Sequence, residues 1–214
     1  MWSEPFFRTD EEGRKIAILL MDTQGTFDEH TTLTQNATVF AISSLLSSVL
    51  IFNVMKTVGE DTLQFFDLFS NYAKLAIGND KASNLKDNDD EALIILIRDM
   101  DFPDYEYGYY DDRLSPPKAE KNLKAFFLDP SDTQPDEVRL TREHISGMHR
   151  NIGLYAMPEP GKQLTRYNNV EKMDEDFVWH LEEFVKLMMT KKQACKRICG
   201  KKVLNLTRTL LKKN

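Results

Sequence analysis

Two short strings, Asp22-Thr23-Gln24-Gly25 and Arg98-Asp99, put acidic side chains directly after apolar runs, where a packed core has no use for them. In a phosphoryl-transfer site an aspartate so placed holds magnesium, usually through water, because that ion prefers hard oxygen ligands in octahedral geometry. Gly25 would let a backbone N–H approach a terminal phosphate that a side chain would obstruct. An ordinary turn after a strand accounts for Asp-x-x-Gly equally well. At Arg98-Asp99 a carboxylate can accept two hydrogen bonds, from the N1–H and the amino group of guanine, a donor pair that the adenine edge lacks. A surface ion pair or a helix cap is the other reading of that dipeptide.

In open α/β sheets ligands bind beyond the carboxyl ends of the strands, so the elements that carry these strings decide whether they meet. Ile16 to Met21 is a continuous apolar run, which predicts a central strand covered on both sides and ending in Asp22. A helix from about Thr34 to Leu46 then feeds a strand from Val49 to Val54. Glu60 and Asp61 open a long helix, acidic at the positive end of its dipole, with Phe65, Phe69, Tyr72 and Ala76 along one face. Asn79 to Glu91 is polar and acidic and reads as a loop before the strand Ala92 to Ile97, which ends in Arg98-Asp99. Pro103 to Pro117 is rich in turn formers and predicts a long loop. Helices near Ala119 to Phe127 and Pro135 to His149 follow, then a strand from Ile152 to Met157 that Pro158-Glu159-Pro160-Gly161 stops. A further helix spans about Asp176 to Met189, with Phe177, Leu181, Phe184, Val185 and Met188 on its apolar side. The alternation predicts an α/β fold: a mostly parallel sheet with helices on both faces.

At 214 residues, with 41% hydrophobic and 29% charged residues, the chain suits one domain around one core. A formal net charge of -6 argues against nucleic acid as a partner. Cys195 and Cys199 can build neither a disulfide framework nor a zinc site, which points to a reducing, cytosolic setting. The N-terminus lacks the basic-then-apolar order of a secretory signal, so the sequons at Asn36 and Asn205 are expected to stay unmodified. Asn36 to Met55 carries no charge over nearly the length of a membrane span. Serines interrupt it and its composition turns β-favouring at Val49-Leu50-Ile51-Phe52, so a buried helix followed by a buried strand is expected instead. Lys191 to Asn214 is basic, reading as a final amphipathic helix or as a lipid-facing segment.

Trp2-Ser3-Glu4 followed by Leu19-Leu20-Met21-Asp22-Thr23-Gln24-Gly25-Thr26-Phe27-Asp28 resembles the atlastin GTPases of the dynamin superfamily. The similarity continues through Ala37-Thr38-Val39-Phe40-Ala41, Glu60-Asp61, Leu68-Phe69, Arg98-Asp99, Phe102-Pro103 and Pro158-x-Pro160-Gly161, and persists to Lys201-Lys202-Val203. This resemblance implies a GTPase G domain in which Asp22 serves magnesium, Gln24 and Gly25 lie in the second switch, and Arg98-Asp99 reads guanine. It also implies that the loop after Pro158-x-Pro160-Gly161 caps the base, with Leu164 and Asn168 as candidate contacts, although Glu159 stands where the family has histidine and the loop is shortened.

The family's order puts a phosphate-binding Gly-x-x-x-x-Gly-Lys-Ser loop on the first strand, before Trp2, and these residues contain no such string. It puts a three-helix middle domain and paired membrane segments after Asn214. The expectation is therefore a partial G domain over residues 1–214, touching membrane only through segments beyond it. Two functions follow from the resemblance. One is a magnesium-dependent GTPase domain that binds GTP and GDP, pairs as a homodimer and serves homotypic fusion at the cytosolic face of the endoplasmic reticulum. The other is a degenerate module that binds an intact atlastin-like relative without hydrolysing GTP.

Overall fold

The structure, a computed structural model, describes residues 4–9, 13–23, 32–77, 92–149 and 151–190. The described chain runs β1 (Phe6–Thr9), β2 (Lys15–Ile18), α1 (Leu33–Leu46), β3 (Val49–Met55), α2 (Glu60–Ile77), β4 (Ala92–Arg98), β5 (Gly108–Tyr110), α3 (Leu123–Leu128), α4 (Asp136–Met148), β6 (Asn151–Ala156), α5 (Lys162–Tyr167) and α6 (Glu175–Thr190), with a 3-10 turn at Val170–Lys172.

β4 is the spine of the main sheet. Its run of Ala, Leu and Ile is buried almost throughout because β3 and β6 flank it, both parallel to it, and helices cover both faces. The strand order is β3-β4-β6-β5, and β5 is antiparallel at the far edge. Leu93, Ile95 and Ile97 face one core with Leu50 and Phe52 of β3, Ile152 and Leu154 of β6, and residues of α1 to α4. Ile94 and Leu96 face the other core with Tyr155, Met157 and Phe184 of α6. A mostly parallel α/β sheet with helices on both faces is thus what the chain forms, as the alternation predicted.

Local chemistry sets the element ends. α1 starts after Thr32 in a capping box with Gln35, which satisfies free N–H groups of its first turn. α3 starts at Leu123, later than expected, because the Asn122 side chain accepts from the backbone of Lys124 and Ala125. α2 buries Leu63, Phe66 and Phe69, with Phe65 and Tyr72 partly covered. On α6 the covered stripe is Phe177, His180, Phe184, Leu187 and Met188, while Leu181 and Val185 stay exposed, so the apolar side is narrower than expected. The stretch Pro103 to Pro117 is mainly loop but contains β5, whose Tyr110 is wholly buried. Its neighbour Tyr109 crosses β6 over Gly153, where a Cβ would collide with the phenol ring.

The central strand expected at Ile16 to Met21 does not form. β2 spans only Lys15–Ile18 and pairs antiparallel with β1 as a separate two-stranded sheet. A ribbon of two strands covers one face at most, so exposed Lys15 and Ala17 alternate with half-covered Ile16 and Ile18, and Leu19, Leu20 and Met21 are 58%, 46% and 41% exposed. No helix among the described residues is long and apolar enough to cross a membrane, and Asn36 to Met55 is α1 followed by β3. The loop expected at Asn79 to Glu91 and the basic segment from Lys191 lie outside the described residues.

Candidate functional site

Parallel strands deliver their carboxyl ends to one edge of the sheet, and β3, β4 and β6 do so at Met55, Arg98 and Ala156. Three backbone hydrogen bonds stitch that edge together. Lys56 N–H donates to Arg98 O at 2.7 Å, Met157 N–H to Ile97 O at 2.9 Å, and Met100 N–H to Met157 O at 3.0 Å. Between them Asp99 adopts a left-handed backbone with φ 53°, and Lys56 beside it has φ 66°. Such a conformation costs a residue with a Cβ roughly 1–2 kcal/mol, and its persistence marks a turn that its surroundings hold in place. The exposed Arg98 side chain is tethered, its Nε donating to Asn53 Oδ1 on β3 at 2.7 Å. Asp99 is half-exposed.

The loop after β6 starts from the same edge. Buried Pro158 leads to Gly161, which has φ 90° and ψ 161° and whose Cα faces the exposed Asp174 carboxyl so closely that a Cβ would have to push it aside. Asp174 N–H closes the loop by donating to Pro160 O at 3.1 Å. α5 follows, with Leu164 half-buried on it, and ends at Asn168, whose left-handed φ of 51° suits an asparagine C-cap. Its N–H donates to Leu164 O at 3.0 Å, and Asn169 N–H to Gln163 O at 3.0 Å. Arg98 and Asp99 thus close β4, Leu164 and Asn168 lie on the α5 segment that follows β6, and the Met100 to Met157 bond joins the two strand ends.

Aromatic side chains support that edge from the α6 side, and sequence reasoning passed over them. Tyr107 directs its hydroxyl to Met100 O at 3.4 Å. Burial, reinforced by Asp176, Asp101 and Glu159, raises its pKa and keeps the phenol a donor. Its ring meets the His180 ring edge-on at 5.6 Å, and Tyr155 donates to His180 O at 2.8 Å. Burial lowers the His180 pKa against the opposing pull of Asp176 and Glu183. Tyr107 is one of four tyrosines from Tyr105 to Tyr110, and nothing in that cluster singles it out from its neighbours.

Asp22 is not brought to this edge by any strand pairing. It is exposed, four residues past the end of β2, and no hydrogen bond joins β2 to the four-stranded sheet. The hairpin does reach α6, through Arg8 Nη1 donating to Met189 O at 2.7 Å. Among the described residues no three His, Cys, Asp or Glu side chains gather as a metal site. A lone exposed carboxylate suits magnesium in one way, as the protein's share of a shell completed by nucleotide phosphates and water. Gln24 and Gly25 lie outside the described residues.

Residues 1–197 match the family described as guanylate-binding protein, N-terminal domain. Atlastin-1 of Macaca fascicularis is 36% identical over 208 residues, which cover 95% of this chain and 35% of that protein. Atlastin-1 of Mus musculus gives the same figures of 36%, 95% and 35%. Atlastin-2 of Homo sapiens is 34% identical over 210 residues, covering 95% of this chain and 34% of that protein. The chain thus spans about a third of the length of the curated relatives it matches. With the match running through Asp22, the Arg98-Asp99 strand end and the α5 loop, the chain belongs to the guanylate-binding-protein N-terminal domain family, as an atlastin-like G domain of the dynamin superfamily.

Proposed function

We propose that the chain is the guanine-reading part of a GTP-binding, GTP-hydrolysing domain, one partial G domain over residues 1–214. The observation that carries this reading is the held left-handed turn at Asp99, at the carboxyl end of the central strand. From there its two carboxylate oxygens accept from guanine N1–H and the 2-amino group, and Arg98, tied to Asn53, keeps clear of that carboxylate. The α5 loop covers the base, with Leu164 as an apolar wall and Asn168 as a polar rim. Magnesium, when bound with the nucleotide, neutralises phosphate charge, and Asp22 is the carboxylate that would meet it through water. By resemblance to the atlastins, the whole protein pairs as a dimer upon binding GTP and acts in fusion of endoplasmic reticulum membranes.

A second reading has a specific observation behind it. These 214 residues contain no Gly-x-x-x-x-Gly-Lys-Ser, whose backbone donors and lysine cradle phosphates. On this reading the module retains base recognition, pairs with an intact relative and turns over no GTP. The chain alone is then expected to bind GTP no tighter than roughly millimolar, worth only about 4 kcal/mol, and to show no hydrolysis above buffer.

Nuclear magnetic resonance titration reaches that range and tests Asp99 directly. Asp99→Asn turns one acceptor into a donor that opposes guanine's amino group, a mismatch of about 1–3 kcal/mol, while xanthine offers an oxygen there and pairs with the amide. GTP affinity should fall and that for xanthosine triphosphate should rise. An unchanged preference in the variant would reduce Arg98-Asp99 to a strand end and remove the guanine assignment.

A further inference from the structure

A side-chain tie to the residue after Asp99 adds to the backbone bonds that hold its turn. Bonds from Lys56 to Arg98 and from Met100 to Met157 fix the peptides on either side, and the Met100 side chain is buried. The Met100 carbonyl is held differently, by the Tyr107 hydroxyl, at a length where the bond depends on the ring being kept in place. What keeps it there is α6. His180, 7% exposed, presents its imidazole edge-on to the Tyr107 ring and is flanked on its other side by the Trp179 ring at 4.6 Å. Tyr155 anchors the His180 backbone from β6, and its own ring packs edge-on against Phe184 at 5.0 Å.

We propose that Tyr107 is a positioning residue for base selection, a strut from α6 to the Asp99 turn that fixes the direction of the Asp99 carboxylate, with His180 as its brace. The proposal rests on the reading of Asp99 as the guanine contact. Tyr107 never touches the base; it acts through the Met100 peptide. A carboxylate held in the plane of the base meets N1–H and the 2-amino group together, and one allowed to swing meets them together less of the time. Discrimination between guanine and hypoxanthine, which lacks that amino group, therefore reports on the strut, whereas a purely structural role would lower stability and leave discrimination intact.

The test uses the full 214-residue chain, titrated with GDP and with inosine diphosphate while ¹⁵N amide resonances are followed. Tyr107→Phe keeps the ring and removes the hydroxyl. The ratio of GDP to inosine diphosphate affinity should drop about threefold, in proportion to one net hydrogen bond, with the Asp99 and Met100 amides shifted. If Tyr107→Phe fails to fold, His180→Gln, which removes the brace and leaves the hydroxyl, carries the test with the same readouts. Should Asp99→Asn abolish discrimination while these variants leave both the ratio and the amide shifts as they were, the strut is wrong and the guanine reading stands. Should Asp99→Asn leave discrimination intact, the guanine reading fails and the strut falls with it.

Discussion

At Gly161 one residue decides whether the α5 loop can close. Its φ of 90° and ψ of 161° belong to a region essentially reserved for glycine, and the Asp174 carboxyl occupies the space a Cβ would need. Gly161→Ala should cost about 1–3 kcal/mol in urea unfolding. Adding Asp174→Ala relieves the collision but not the backbone strain, so the double variant should recover only part of the loss; full recovery would show that the strain is absent. His180 provides a second single-residue test. Burial holds its folded pKa below the ordinary 6.5, although Asp176 and Glu183 pull the other way. Above about pH 6.5 both states are neutral and the group is silent; as pH falls, the unfolded chain takes up the proton first and stability is lost through the folded pKa. The melting temperature should therefore fall more steeply between about pH 6.5 and pH 5 for the native chain than for His180→Gln, and parallel curves would remove the effect. Asp99 was legible in the sequence as the residue at a strand end, where the apolar run of β4 stops. Its left-handed backbone and its hold through Tyr107 were not, since both depend on partners distant in the chain.

Elements were legible in proportion to how far their surroundings follow from their own pattern. β4 was read correctly because a strand buried on both faces must be apolar throughout. The same rule failed at Ile16 to Met21, where what covers a strand is set by neighbours rather than by the run itself. β5 and α5 were missed because three residues of strand and six of helix are too short to show a period. The starts of α2, α4 and α6 were placed within a residue or so because the acidic residues of their first turns are a local signal. One tie between elements had no sequence signal at all. Arg142 of α4, with its side chain 5% exposed, donates from Nε to Phe127 O at the end of α3 and pairs through its guanidinium with Glu60 at the start of α2. Arg142→Met keeps the apolar stem and leaves the Phe127 carbonyl unsatisfied, with Glu60, 44% exposed, partly rescued by water. A loss of about 2 kcal/mol is expected. Calorimetry showing no change in melting would demote this tie to a surface contact.

On the scale of the whole molecule, an acidic chain of net charge -6 carries a neutral edge strand among its described residues. Among the described residues β3 pairs with β4 alone, and Val49–Met55 holds neither charge nor proline to guard its outer side. Ile51 is 41% exposed and Met55 59% exposed, while Leu50, Phe52 and Val54 pack inward. Sedimentation velocity of the chain should show concentration-dependent association that Ile51→Lys reduces; equal behaviour of both proteins would place the association elsewhere.

The parallel pairing of β4 also fixes how the molecule must be made. Its two partners are reached only by closing the long stretches from Val49 to Ala92 and from Ala92 to Asn151, so the spine forms none of its ladder from nearby chain. Each closure costs its entropy before the ladder that it makes returns any contact energy. By contrast α1 and α2 pack together across a short connection and can assemble early. The expected order of folding is a local helical pair with β3 first and the capture of β4 and β6 last, so that the edge that would present Asp99 is completed in the final step.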